Sequence, residues 1–197
     1  MSNDILITTL IDDTVRYIHL LSVAIGIGAS FFADFNVLRR IRSTVNQPLL
    51  DTLDCCHRIV WAAIVVMWAS GLALIYLRTG FVLENFSPKL FTKILVVTVL
   101  TANALVIGLY AVPCLEQRLG KRILNMPNSL RLPMACIAGV STLSWLFALA
   151  LGSSRFLAKG SAELFYTLVP FAYGSCIAVA LLSAIAIGTS QRKPSLD

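Results

Sequence analysis

Charge is what this chain has least of. Of its 197 residues only 13% are Asp, Glu, Lys or Arg, while 57% are hydrophobic. A soluble domain usually carries about 25% charged residues. The shortage is not evenly spread. No charged residue occurs between Arg16 and Asp34, Arg58 and Arg78, Lys93 and Glu116, Arg131 and Arg155, or Glu163 and Arg192. A helix needs roughly 20 apolar residues to cross about 30 Å of hydrocarbon. Helices of soluble proteins show a polar face every turn, and these stretches lack one. A water-soluble globular domain is thereby excluded.

Other absences narrow the chemistry. The chain has no phosphate-binding loop, no dinucleotide fingerprint, no H-E-x-x-H and no G-x-S-x-G. Histidine occurs only at His19 and His57. Cysteine is present but is not in a metal-binding pattern. Cys55-Cys56-His57 offers soft ligands, yet adjacent cysteines are not the C-x-x-C of common zinc sites. Cys55, Cys56, Cys114 and Cys136 map to the cytoplasmic side, where disulfides are not expected.

What remains is an all-α, polytopic transmembrane helix bundle. We expect five spans, at about 15–37, 58–78, 90–113, 132–152 and 163–189, in one membrane domain over 1–197. Helix is the required form because backbone groups in lipid must be satisfied within the segment. The net charge of +6 does not imply nucleic acid, because the basic residues gather at helix ends. Arg39, Arg40 and Arg42 follow the first span. Arg118, Lys121, Arg122 and Arg131 follow the third, and Arg192 and Lys193 follow the fifth. The excess on alternate sides predicts an outside N-terminus and a cytoplasmic C-terminus. The short apolar run from Ile5 to Ile11 leads into Asp12-Asp13, so we expect no cleaved signal and a self-inserting first helix.

Helix breakers and small residues add detail. Pro113 is expected to close the third span, Pro133 to open the fourth and Pro170 to kink the fifth. Ala24/Gly28, Gly26/Ser30, Gly174/Ala178 and Ala180/Ala184/Gly188 recur at four-residue spacing. They permit close helix contact, within one bundle or with another copy or a membrane-complex partner.

Ionisable groups inside a span are costly and need a reason. His19 lies about one turn into the first span, and Lys93 about one turn into the third, at similar depth. Tyr17, Arg78 and Arg155 end near the same level. An imidazole among cations can ligate a haem iron or a metal, or relay a proton; alternatively Lys93 snorkels and His19 sits at the interface. His57 lies at the other side, too far for both histidines to hold one haem. Asp34 and Arg58 approach the same depth and can form an ion pair. Asn103, midway along the third span, can cross-link helices or line a path. Trp61, Trp68 and Trp145 suit packing or interfacial anchoring.

Three stretches resemble a group of small bacterial membrane proteins, the CopD-type copper-resistance domain and the HemJ type. They are Tyr17-Ile18-His19-Leu20-Leu21-Ser22 running into Gly26 and Gly28, then Ser70-Gly71-Leu72, then Lys89-Leu90-Phe91-Thr92-Lys93 reaching Asn103. The likeness covers the first three spans. It implies His19 as a haem or metal ligand, with Lys93 beside a propionate or the reacting group. It also implies the bacterial inner membrane. No histidine stands in the third span, and the last two spans add no match. Three functions follow as expectations. The first is b-type haem, or less readily copper, bound near the outer leaflet by His19 with Lys93 or Arg155 for redox work. The second is a cofactor-free transporter or channel with Asp34, Arg58 and Asn103 along its path. The third is an accessory subunit of a membrane complex.

Overall fold

The computed structural model describes residues 3–158 and 160–190. The side chains of residues 3–4, 155, 158 and 188–190 lie outside the described set, as do Lys159, Arg192 and Lys193 entirely. Five long helices dominate: α1 Asn3–Arg39, α2 Gln47–Thr79, α3 Pro88–Glu116, α4 Asn128–Ser153 and α5 Ala162–Ser190. All five are long and apolar enough to cross a membrane, so the chain is a multi-pass membrane protein. No strand forms among the described residues; two isolated bridges join loops.

The helices outrun the charge-free stretches. α1 has 37 residues and α2 has 33, where about 20 suffice to span. The first helix takes in Ile5 to Ile11, which the sequence placed before it. Asp12, Asp13 and Arg16 do not interrupt it, because Arg16 bonds Asp12 one turn away and Arg78 of α2 lies 3.7 Å from Asp12. Ion pairs at this spacing support a helix rather than end it. α2 begins eleven residues early for a local reason. The Asn46 side chain accepts from Leu49 N–H at 3.2 Å and Pro48 sits in the first turn. Gly80, at φ +60°, closes α2 with its N–H on the Tyr76 carbonyl at 2.9 Å.

Two of the prolines, Pro113 and Pro133, behave differently from expectation. Pro113 does not close the third span. The helix widens into a π turn over Ile107–Ala111 and continues through Val112–Glu116. Proline lacks an N–H and its ring clashes with the carbonyl four residues back; the wider turn moves that carbonyl aside. Pro133 lies inside α4, which starts at Asn128 after Pro127. Pro170 lies inside α5.

Packing is uneven. α1 and α2 form the most extensive pair, α4 packs on both α3 and α5, and α1 reaches α4. The central core joins Val23 of α1, Val60, Ile64 and Met67 of α2, Leu100 and Ala104 of α3, and Trp145 of α4. Trp145 is 0% exposed. It rests on Gly26, where a Cβ would fall 2.2 Å from the indole. The small residue at position 26 therefore serves packing within one bundle. α5 is the least buried of the five.

The face carrying the α1–α2 and α3–α4 loops is knitted together. Val45 N–H bonds the Lys121 carbonyl at 2.9 Å, and Gly120 N–H bonds Val45 at 2.8 Å. Val45, Leu49, Leu115, Ile123 and Met126 bury a small core beneath these basic loops. We call this the loop face and the opposite one, where α1 begins, the N-terminal face.

Candidate functional site

The bundle holds two polar clusters, one toward each face. The first is built on His19. Its Nδ1 lies 3.0 Å from the Ser70 hydroxyl of α2. Ser70 has a single proton, and that proton goes to the Val66 carbonyl at 2.6 Å. With that proton on Val66, Ser70 can accept from Nδ1–H, and the Met67 backbone carbonyl is a second acceptor for the ring. The neighbouring Gly71 admits the ring edge: a Cβ there would lie 3.4 Å from Cε1 and 3.7 Å from Nδ1. Ser22 is held by the His19 carbonyl at 2.7 Å, one turn along α1. Sequence reading brought Ser70 and Gly71 to notice by resemblance alone. The contact with His19 is what gives them a role.

Cations surround this imidazole. Lys93 of α3 and Arg78 of α2 are near enough for their charges to act on the ring. Lys89 and Arg78 act on Lys93 in turn. Lys93 is half-buried and makes no ion pair or hydrogen bond among the described residues. Lys89 instead caps α4, donating to the Ser154 carbonyl at 3.0 Å. The Arg155 side chain lies outside the described residues. Tyr17 is exposed.

His57 is a separate matter. It accepts from the Trp61 indole N–H at 3.0 Å through Nε2. The same nitrogen presses on Gly108 in the π turn, where a Cβ would fall 2.9 Å away. His57 and Ser70 are about 20 Å apart along α2 at 1.5 Å per residue. The two histidines therefore cannot share one iron.

The second cluster lies toward the loop face, and here the expected pairing fails. Asp34 and Arg58 form no ion pair. Arg58 bonds Asp54 one turn back on its own helix and is largely exposed. Asp34 turns to α4 and accepts from the Thr142 hydroxyl at 3.2 Å. An in-helix partner was available to Arg58 without burying it, and that arrangement prevailed. Ser30 and Ser141 meet at 3.2 Å, both buried. Asn103 is also buried and donates to the Ile137 carbonyl of α4 at 3.1 Å, so it cross-links α3 and α4. The polar-path trio Asp34, Arg58 and Asn103 is thus not one site. Hydroxyls missed by sequence reading, Ser30, Ser141 and Thr142, are the companions of Asp34. Only the four-residue spacing of Ser30 from Asp34 hinted at them.

Among the described residues no group of three His, Cys, Asp or Glu side chains is placed to hold a metal ion. No protein-family model, curated protein or solved structure matches this chain.

Proposed function

We propose that this protein binds an amphiphilic iron macrocycle of the b-type haem class at its N-terminal face, for redox or electron-transfer work. One observation carries the reading: the Ser70 hydroxyl lies 3.0 Å from His19 Nδ1 and fixes the imidazole at the level of Lys93. An outer partner that fixes the ring and its tautomer is the usual support of a ligating histidine. The residues also fit the rest of the group. A propionate-bearing ligand needs positive charge at the membrane edge, and Lys93 is a half-buried ammonium with no acid of its own. Arg78 adds a guanidinium at the same level, 3.7 Å from Asp12. The resemblance of the first three helices points to the same pair, His19 and Lys93.

The roles divide by chemistry. His19 would be the residue that holds the iron of such a group. Lys93 would neutralise a carboxylate of the group, and Arg78, shared with Asp12, would add positive charge beside it. When bound, the group supplies one-electron chemistry at its iron, tuned by the axial ligand and by burial. A copper site is not proposed, because the donor set falls short of three ligands. The arginines and lysines of the two knitted loops support an outside N-terminus, which puts the haem near the outer leaflet.

The test is an absorption spectrum of detergent-purified protein from haem-replete cells, oxidised and then dithionite-reduced. The expected result is a Soret band at near-stoichiometric haem that disappears in His19→Ala. A colourless wild-type protein with no bound iron rejects the reading.

A further inference from the structure

Asp34 plays no part in that site. It is half-buried near the end of α1, a helix long and apolar enough to cross the membrane. A carboxyl group at such a position is expensive, and the common remedy is a basic partner. None is in place among the described residues. On α2, Arg58 pairs with Asp54 and Asp51 takes Gln47. On α4, Arg131 bonds Asn128. Beyond the end of α1, Arg40 bonds Asn46.

What surrounds Asp34 instead is hydroxyl. Thr142 lies 3.2 Å from its carboxylate, and the Ser30–Ser141 pair occupies the adjoining turns of the same two helices. Helical side chains lean toward the helix N-terminus, so Asp34 leans back toward Ser30 and into the bundle. Hydroxyls both donate and accept. Thr142 can therefore donate to a carboxylate or accept from a carboxylic acid. A guanidinium in its place would hold the charged form only. Either serine of the pair can be the donor.

The cluster also has a floor. One turn deeper, Trp145 seats on Gly26 within the apolar core of Val23, Val60, Ile64, Met67 and Leu100. That layer separates the cluster from the His19 end of the bundle. The fully buried Trp145 indole N–H has no protein acceptor, a further polar atom one turn from Ser141 that the fold leaves uncommitted. Asp34 lies about 8 Å along α1 from its end at Arg39, at 1.5 Å per residue.

We propose that Asp34, with Thr142 and the Ser30–Ser141 pair, is a membrane-embedded proton-exchange site, reached from the loop face and sealed from the other half by Trp145 on Gly26. In the exchange a hydronium or water on the loop side transfers a proton to an Asp34 oxygen, leaving water or hydroxide. Release is the reverse, so no other reactant is consumed. Thr142 keeps its hydrogen bond in both states by reversing its direction. The proposal uses no residue of the His19 cluster and stands whether or not haem binds.

The experiment is carbodiimide labelling of the full chain in liposomes. Dicyclohexylcarbodiimide partitions into lipid and reacts with protonated carboxyls there. Adducts are located by mass spectrometry across a pH series. The expected result is labelling at Asp34 several-fold above Asp51 and Asp54, falling as pH rises. An infrared band of a protonated carboxyl should vanish in Asp34→Asn. Should that variant fail to fold, wild-type labelling against Thr142→Val keeps the test open, with a changed pH profile expected. Absence of labelling at Asp34 throughout the series overturns the proposal. Protection by sodium at constant pH overturns it too, by assigning the site to a metal cation.

Discussion

The two polar clusters of this bundle are opposites. Toward the N-terminal face, an imidazole stands among cations and no carboxylate balances Lys93. Toward the loop face, a carboxylate stands among hydroxyls and no cation balances Asp34. In a soluble protein, water would make such imbalances unremarkable. In a membrane helix each is expensive and is retained for a reason. Lys93 has no anion in place among the described residues, so it suits an anionic ligand. The hydroxyl cluster lacks a fixed counter-charge, so it suits a proton that comes and goes. Between them lies an apolar layer with Trp145 at its centre, and both proposals treat the two halves as independent.

That independence can be broken experimentally. His19→Ala has the largest expected effect: complete loss of the Soret band, with Asp34 labelling unchanged. Loss of both would show the halves to be coupled. Ser70→Ala should be milder, because the ligand stays and only its orientation suffers. Removing an outer partner of this kind costs about 10–100-fold in affinity, read by titrating haem into the apoprotein. Equal affinity would mean that Ser70 does not orient the ring.

Substitution at the divider comes next. Gly26→Val drives a side chain into Trp145 and should lower stability by about 1–3 kcal/mol, the range for overpacked cores. Unfolding in mixed micelles would measure it. Asn103→Leu removes a single interhelical bond and should cost about 1 kcal/mol. Haem content and Asp34 labelling should both persist, since Asn103 joins neither cluster. The smallest effect is expected at Arg58. Arg58→Ala breaks an exposed pair and should change stability by no more than about 0.5 kcal/mol. A large change in Asp34 labelling there would restore the ion pair between them that the structure lacks.

Much of the architecture was legible beforehand. Charge-free stretches reveal spans because an uncompensated charge is costly in lipid and an open backbone is not tolerated there. Helix ends were less legible. Asn46 with Pro48 starts α2 well before its apolar stretch, and the π turn carries α3 past Pro113. Both depend on local backbone geometry that hydropathy does not register. At the site, His19 and Lys93 stood out because histidine and lysine are rare at depth. Thr142 and Ser141 did not, because a hydroxyl in a span can satisfy itself on its own helix. Thr98 and Thr101 do so, on the carbonyls of Ile94 and Val97.

The sequence by itself determined the solvent, the helical form and the number of crossings. Those follow from composition along the chain, summed over about 20 residues at a time. Only the tertiary structure decided the partners: Ser70 for His19, Thr142 for Asp34, Asp54 for Arg58, Gly26 for Trp145. A partner depends on how each helix is rotated and how far it slides along its neighbour. One step of either exchanges the facing side chains and leaves the hydropathy of every span unchanged.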